Sequence, residues 1–473
     1  MKIKTAALLL SGFIIPFCFG ARAAPDKEED AFMERYRPQF HFTAKKNWLN
    51  DPNGCVFYDG EYHLFFQRNP KGNEWGNMTW GHAVSKDLVR WNHLPDAIAP
   101  YGGGDIFSGT AVVDQGNTSG LGKGSLKPII AFFTHTTQPS VQAMAYSNDR
   151  GRTWNLYEGG KAVVPNQGLD ICERDPKVFR HEPSGKWVMA LWVKNDILRF
   201  FTSDDLKNWD HASDFEAPGF YECPDIFEAR VDNNPNDRRW VAYDAGFNYW
   251  IGSFDGKSFK AQTGPFRGDV GNNFYAAQTW NNTPCRIIQI AWMRGGIYPG
   301  MPFNQQMSFP CELTLCATSS GVRLRRLPVK EIEALYDKTF TWKDEAIEPG
   351  KNILREISGE LFDIELTIEP GGCSEFGLML HDCVISWREG KLSCMGVTAD
   401  LPDVAGKVEL RALVDRTTIE IFGNRGAVSM SNCFLPKELS TGLELYVKTG
   451  GALIHSMTVH ILRSAFEKGE TSP

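Results

Sequence analysis

Ser85-Lys86-Asp87-Leu88-Val89-Arg90-Trp91 returns three times downstream: as Ser147-Asn148-Asp149-Arg150-Gly151-Arg152-Thr153-Trp154, as Ser203-Asp204-Asp205-Leu206-Lys207-Asn208-Trp209 and, more weakly, as Ser253-Phe254-Asp255-Gly256-Lys257-Ser258-Phe259. Each copy is an acidic turn closed by an aromatic residue, and the aspartates Asp87, Asp149, Asp205 and Asp255 lie 62, 56 and 50 residues apart. That interval suits a four-stranded propeller blade. In such a turn the aspartate accepts local backbone N–H bonds, while the aromatic plugs the gap between neighbouring sheets.

A second series runs out of phase with the first, each member opening an apolar strand that a turn folds back. Asp51-Pro52-Asn53-Gly54 leads into Cys55-Val56-Phe57-Tyr58, Ser108-Gly109 into Thr110 to Val113, and Arg174-Asp175-Pro176 into Lys177-Val178-Phe179. Glu222-Cys223-Pro224 leads into Asp225-Ile226-Phe227, and Asn273-Phe274-Tyr275-Ala276 opens a fifth run that returns at Ile287 to Trp292. Five strand starts imply five blades. If each start marks the innermost strand of its blade, Asp51, Asp175 and Glu222 converge at one mouth of the central channel.

The rest of the chain fits around this unit. The propeller is expected over 37–323, followed by a linker at 324–343 with one short helix. A β-sandwich is expected over 344–466, on the alternating apolar residues of Leu361 to Thr367, Val384 to Trp387, Val408 to Val414, Thr418 to Phe422 and Leu443 to Val447. The fold class is therefore all-β, and 45 glycines, 26 prolines and 14 tryptophans among 473 residues agree with many tight turns and aromatic anchors. Residues 1–23 read as a secretory signal: Lys2 and Lys4 precede an apolar run from Ala6 to Gly20 and the small-residue site Ala21-Arg22-Ala23. The run is too short, and broken by Pro16, to span a bilayer, and no later segment is long and apolar enough. Export to the periplasm or the medium follows, with residues 24–36 as a charged arm. A net charge of -7 without any Lys/Arg block excludes a nucleic-acid partner. The eleven cysteines show no zinc-type spacing and read as thiols, most of them buried.

Each acidic motif has a structural reading of its own: Asp-Pro-Asn-Gly is a good type I turn, Arg174-Asp175 a salt bridge, Glu222-Cys223 a strand edge. Joint placement changes the odds, because burying three carboxylates about one axis is costly unless a ligand or a shared proton uses them. Two carboxylates facing a pocket are what glycosidic cleavage requires. A third acid with Arg174 beside it can grip sugar hydroxyls, and the rings of Trp48, Trp75, Trp80, Phe107 and Tyr275 can stack on a sugar face or simply fill the core.

At these residues the sequence resembles glycoside hydrolase family 32, the β-fructosidases, over about Arg37 to Leu462. Trp48-Leu49-Asn50-Asp51-Pro52-Asn53-Gly54 resembles the family's nucleophile motif, Arg174-Asp175-Pro176 its transition-state stabiliser and Glu222-Cys223-Pro224 its acid/base. Asn50, Gln67, Trp75, Phe107, Ser108, Arg174 and Trp292 are similar to the family's sugar-contacting positions, and Leu413-Val414-Asp415-Arg416 with Glu420-Ile421-Phe422 resembles its sandwich signature. The resemblance implies a five-bladed propeller followed by a sandwich. It also implies a secreted, retaining exo-β-fructosidase acting on levan, inulin or sucrose without metal or organic cofactor. A fructosyltransferase, an endo-acting fructanase and a non-catalytic fructan-binding protein are the alternatives. Three departures from the usual family pattern stand out: Asn273 in place of an aspartate, Cys311 in place of an arginine, and the Gly/Pro-rich stretch Arg294 to Gln306.

Overall fold

The computed structural model describes residues 32–381, 383–436 and 441–466. The export signal expected at 1–23 and residues 24–31 of the expected arm lie outside them. Five antiparallel sheets are followed by two more, and each of the first five is a propeller blade that begins at one of the strand starts above. The inner strands are Asn47–Tyr58, Ile106–Val113, Arg174–His181, Asp225–Arg230 and Tyr275–Thr279. Residues 303–304 come from blade V but pair in parallel with the inner strand of blade I, Asn47 opposite Phe303, and so fasten the ring.

The repeated acidic turn joins the third strand of a blade to its fourth. Asp87 accepts from the N–H groups of Val89 and Arg90, Asp205 from Lys207 and Asn208, and Asp255 from Lys257 and Ser258. The closing indole then donates back to its own turn, Trp91 to Leu88, Trp154 to Gly151 and Trp209 to Leu206. Each aromatic packs on the preceding blade: Trp91 on Trp280, Trp154 on Phe65, Trp209 on Phe132 and Phe259 on Phe215, with centroids 5.0–6.2 Å apart. The propeller core is accordingly a ring of separate apolar clusters between adjacent sheets.

The segment expected as a linker, 324–343, divides among three elements. Its start completes the outer strand of blade V, Gly321–Pro328, where Leu324 and Arg326 are buried and Arg323 and Arg325 are less so. One short 3-10 helix follows, Lys330–Leu335, seating Ile332 and Leu335 in the core, and the remainder opens the edge strand Tyr336–Ile347. That strand begins a six-stranded sheet facing a five-stranded one across a continuous apolar core, which is the sandwich. No helix among the described residues is long and apolar enough to cross a membrane.

A buried ionic cluster fastens the six-stranded sheet to the propeller. His41 places its two ring nitrogens 2.9 Å from Asp415 and 3.0 Å from Glu420. Arg326 reaches Glu420 at 3.0 Å and Asp269 at 3.2 Å. Asp415 also accepts from the backbone N–H groups of Gln39, Phe40 and His41. Burial alone would push His41 down, but the two carboxylates outweigh it and lift the imidazole to about 9. Glu420, against the opposing effect of burial, is drawn down to about 2 by His41 and Arg326.

Candidate active site

Irregular backbone re-aims side chains into the channel. The pairing register slips between Leu49 and Pro52 in blade I, Ile106 and Gly109 in blade II, Arg174 and Lys177 in blade III, and Tyr275 and Gln278 in blade V. Bulges at matching points of four inner strands turn Asp51, Ser108, Asp175 and Tyr275 toward one axis. In blade IV the corresponding residues precede the strand, and Glu222 and Cys223 adopt successive left-handed conformations, φ +41° and +43°. Asp175 is left-handed as well, at φ +66°. Side chains in this region strain the backbone by about 1–3 kcal/mol each, and the surroundings must hold them there. Here the Asp175 N–H donates to Thr134 Oγ1 and the Cys223 N–H to Asp175 Oδ2, while Ala245 N–H bonds the Glu222 carbonyl. Gly109 is required for close pairing of the first two strands of blade II, since a Cβ there would stand 2.0 Å from the Phe132 carbonyl oxygen.

Asn50, Asp51, Gln67, Trp75, Phe107, Ser108, Arg174, Asp175, Glu222 and Trp292 all line one open cavity of about 470 Å³. Asp51 receives Ser108 Oγ on Oδ2 at 2.6 Å and Asn50 Nδ2 on Oδ1 at 3.0 Å. Asn50 is oriented in turn by the Trp48 indole, 2.8 Å from its Oδ1. Burial pushes the Asp51 carboxyl up, with the charge of Glu222 adding to it and the Ser108 and Asn50 bonds opposing it. Burial is also the main cause that lifts Asp175 to about 7; Arg174 opposes it, while Glu222 and Asp51 reinforce it. The Cys223 thiol lies between the two aspartates, 3.6 Å from Asp51 Oδ2 and 3.5 Å from Asp175 Oδ2. Burial and these charges hold it far above the ordinary thiol range, so it acts as a donor rather than a thiolate.

Glu222 is gripped from two sides. Arg174 donates to Oε2 through Nε at 3.1 Å and Nη2 at 2.6 Å, and the Tyr275 hydroxyl donates to Oε1. The guanidinium is fixed by the Cys172 carbonyl at 2.9 Å and by the Trp192 ring, 4.2 Å from its centre. Gln67 is 2 % exposed, and neither its amide nitrogen nor its oxygen has a protein partner. A buried amide left open toward a polar cavity is suited to receive hydroxyl groups. Trp75 stands exposed at the rim with its ring edge-on to Phe107.

Below the acids the channel is closed. Lys177 Nζ, from blade III, sits 3.0 Å from Asp225 Oδ1 of blade IV and 3.0 Å from Thr279 Oγ1 of blade V, all three buried. Tyr275, noted in the sequence only for its ring, proves to bond Glu222. Met78, Cys172 and Arg294 line the cavity without having been singled out as site residues. Trp80, read as a ring for a sugar face or for the core, is wholly buried, its indole bonding the Phe107 carbonyl at 3.0 Å. Arg294 could not have been found from local sequence, because its position depends on a loop outside any repeat.

Known proteins resemble this chain in sequence and in fold. The N-terminal domain model of glycosyl hydrolases family 32 matches residues 41–328 and the C-terminal model matches 386–461. The levanase of Bacillus subtilis (strain 168) is 40% identical, over 97% of this chain and 75% of its own. The extracellular exo-inulinase of Aspergillus ficuum is 31% identical, over 89% of this chain and 93% of its own. The crystal structure of exo-inulinase from Aspergillus awamori superposes with a TM-score of 0.83 at 28% identity, covering 92% of this chain and all of that one.

Proposed function

The chain belongs to glycosyl hydrolase family 32, and from that premise we propose that this fructan β-fructosidase is an exported, retaining exo-hydrolase that removes terminal β-D-fructofuranosyl units from levan or inulin, and from sucrose. The observation that carries the reading is the convergence of Asp51, Asp175 and Glu222 from three blades in one cavity whose floor is sealed. A fructan cannot thread past the Lys177–Asp225–Thr279 layer, so it enters end first, which favours release of single units over cleavage within the chain.

Asp51 attacks the anomeric C2 of the terminal unit while Glu222 gives its proton to the leaving oxygen. Water then enters, Glu222 takes its proton, and fructose leaves Asp51. This course requires the two carboxyl groups to stand about 5–5.5 Å apart around the sugar, too close for a water between them. The Ser108 and Asn50 donors favour the anionic form that a nucleophile needs. Asp175 grips ring hydroxyls more tightly as the sugar flattens toward an oxocarbenium ion, which is differential binding of the transition state. Asn50, Gln67, Arg174 and Trp292 complete the terminal sugar's contacts, and Trp75 and Phe107 offer rings to the next unit. No step calls on a metal or an organic cofactor. The propeller carries catalysis, the sandwich supports it, and residues 1–23 are the export signal.

The test is product analysis of the purified mature protein on levan, inulin and sucrose, beside Asp51→Asn and Glu222→Gln. Fructose as the first product, lost in both variants, is the expected result. Fructan oligosaccharides without free fructose would replace the reading with endo cleavage, and elongated fructans with transfer. Binding without turnover would leave a non-catalytic fructan-binding protein.

A further inference from the structure

Arg294 stands in the cavity wall with its charged group packed on rings alone. Its guanidinium lies 4.6 Å from the centre of the Tyr275 ring and 5.9 Å from that of Trp292, and it makes no hydrogen bond or ion pair among the described residues. The group is exposed at the mouth of the pocket, with five N–H donors in a planar fork. Tyr275, beneath it, bonds Glu222 on the side opposite Arg174. The oxygen that Glu222 protonates is the one joining the terminal fructosyl unit to the next, so the next unit begins at Glu222, whose neighbours on one side of the cavity wall are Tyr275 and Arg294.

The backbone of Arg294 is held by an amide that also ties down the sandwich. Asn273 Nδ2 donates to the Arg294 carbonyl at 2.7 Å, and Asn273 Oδ1 accepts from the Cys433 N–H at 2.8 Å. The Asn273 N–H in turn bonds the Ser431 carbonyl at 3.0 Å. The amide donates one way and accepts the other; a carboxylate would set an anion against the carbonyl oxygen. Gly295 makes the approach possible, for its φ is +98° and a Cβ there would stand 3.2 Å from Asn273 Nδ2.

We infer that Arg294 is a specificity-determining residue that binds hydroxyl groups of the second fructosyl unit, and that Asn273 is the positioning residue that sets it there from the sandwich. The inference rests on the fructosidase reading and names the part of the substrate that reading leaves open.

Its test compares kcat/KM on levanbiose or inulobiose with kcat/KM on methyl β-D-fructofuranoside, whose aglycone stops short of Arg294. In Arg294→Ala the ratio of the two falls about 10–100-fold, the effect of losing charged hydrogen bonds. In Asn273→Asp it falls about threefold to tenfold, and adding Asn273→Asp to Arg294→Ala lowers it no further, since both changes act through one guanidinium. A purely structural role for Asn273 would instead depress both substrates alike and add in the double variant. A ratio unchanged by Arg294→Ala overturns the inference and leaves the fructosidase reading standing. A wild-type protein that releases fructose from neither substrate overturns both.

Discussion

At the scale of single residues, Asp175 shows most plainly that the site is built against its own stability. It holds a left-handed backbone, is buried, and has its carboxyl lifted to about 7. A carboxyl whose folded value exceeds its unfolded one stabilises the fold at low pH and loses that contribution as pH rises through the folded value. Above about pH 7 the protein therefore carries a buried carboxylate that favours unfolding. Asp175→Asn should abolish turnover while raising Tm by about 2–4 °C at pH 8, and the gain should vanish near pH 4, measured by thermal melts at both values. Ser108 gives a prediction of opposite kind. Its bond to Asp51 lowers a carboxyl that burial pushes up. In Ser108→Ala the Asp51 carboxyl rises further, so less of it is ionised at a given acidic pH. The acidic limb of the kcat/KM profile should then move to higher pH.

Among the elements, the acidic turns and the inner-strand starts were legible because each repeats a local interaction: Asp205 caps N–H groups two and three residues away, and Trp209 donates to Leu206. The ionic cluster was legible only in part. Asp415 and Glu420 stood out as a resemblance, but their partner His41 lies 374 and 379 residues away, and nothing local announces such a pairing. The same holds for Asn273, visible as a departure from pattern, whereas its bonds to Cys433 and Arg294 depend on how the sandwich docks. The cluster carries its own pH dependence. His41 is raised to about 9, so its contribution is fully present below the unfolded value near 6.5 and is lost as pH rises through about 9. Glu420 is depressed to about 2, so its contribution is present above about 4.5 and is lost as pH falls through about 2. His41→Gln should destabilise the protein by about 3 kcal/mol at neutral pH, and its Tm should decline less than the wild type's between about pH 7 and pH 10. Equal declines in the two proteins would remove His41 from this role.

For the molecule as a whole, the architecture separates two demands. The ring of apolar clusters between blades gives rigidity, and leaves the axis to polar groups: Lys177 with Asp225 and Thr279 below, the three acids above. The sandwich then braces blade V, the blade that supplies Tyr275 and the loop carrying Arg294. How many blades, and where the acids stand, could be read from spacing; which sugar beyond the first is preferred could not, because loops joining distant strands form that wall.

The central claim is that Asp51 attacks the sugar and Glu222 serves the other half of the reaction. It is tested most directly by treating Glu222→Gln with β-D-fructofuranosyl fluoride and mapping the protein by peptide mass spectrometry. Fluoride departs without an acid, while release from the enzyme lacks its base, so the intermediate accumulates. The account predicts one fructosyl unit bound covalently to the peptide containing Asp51 and absent from Asp51→Asn. Fluoride release with no adduct, or an adduct on a residue other than Asp51, would contradict it.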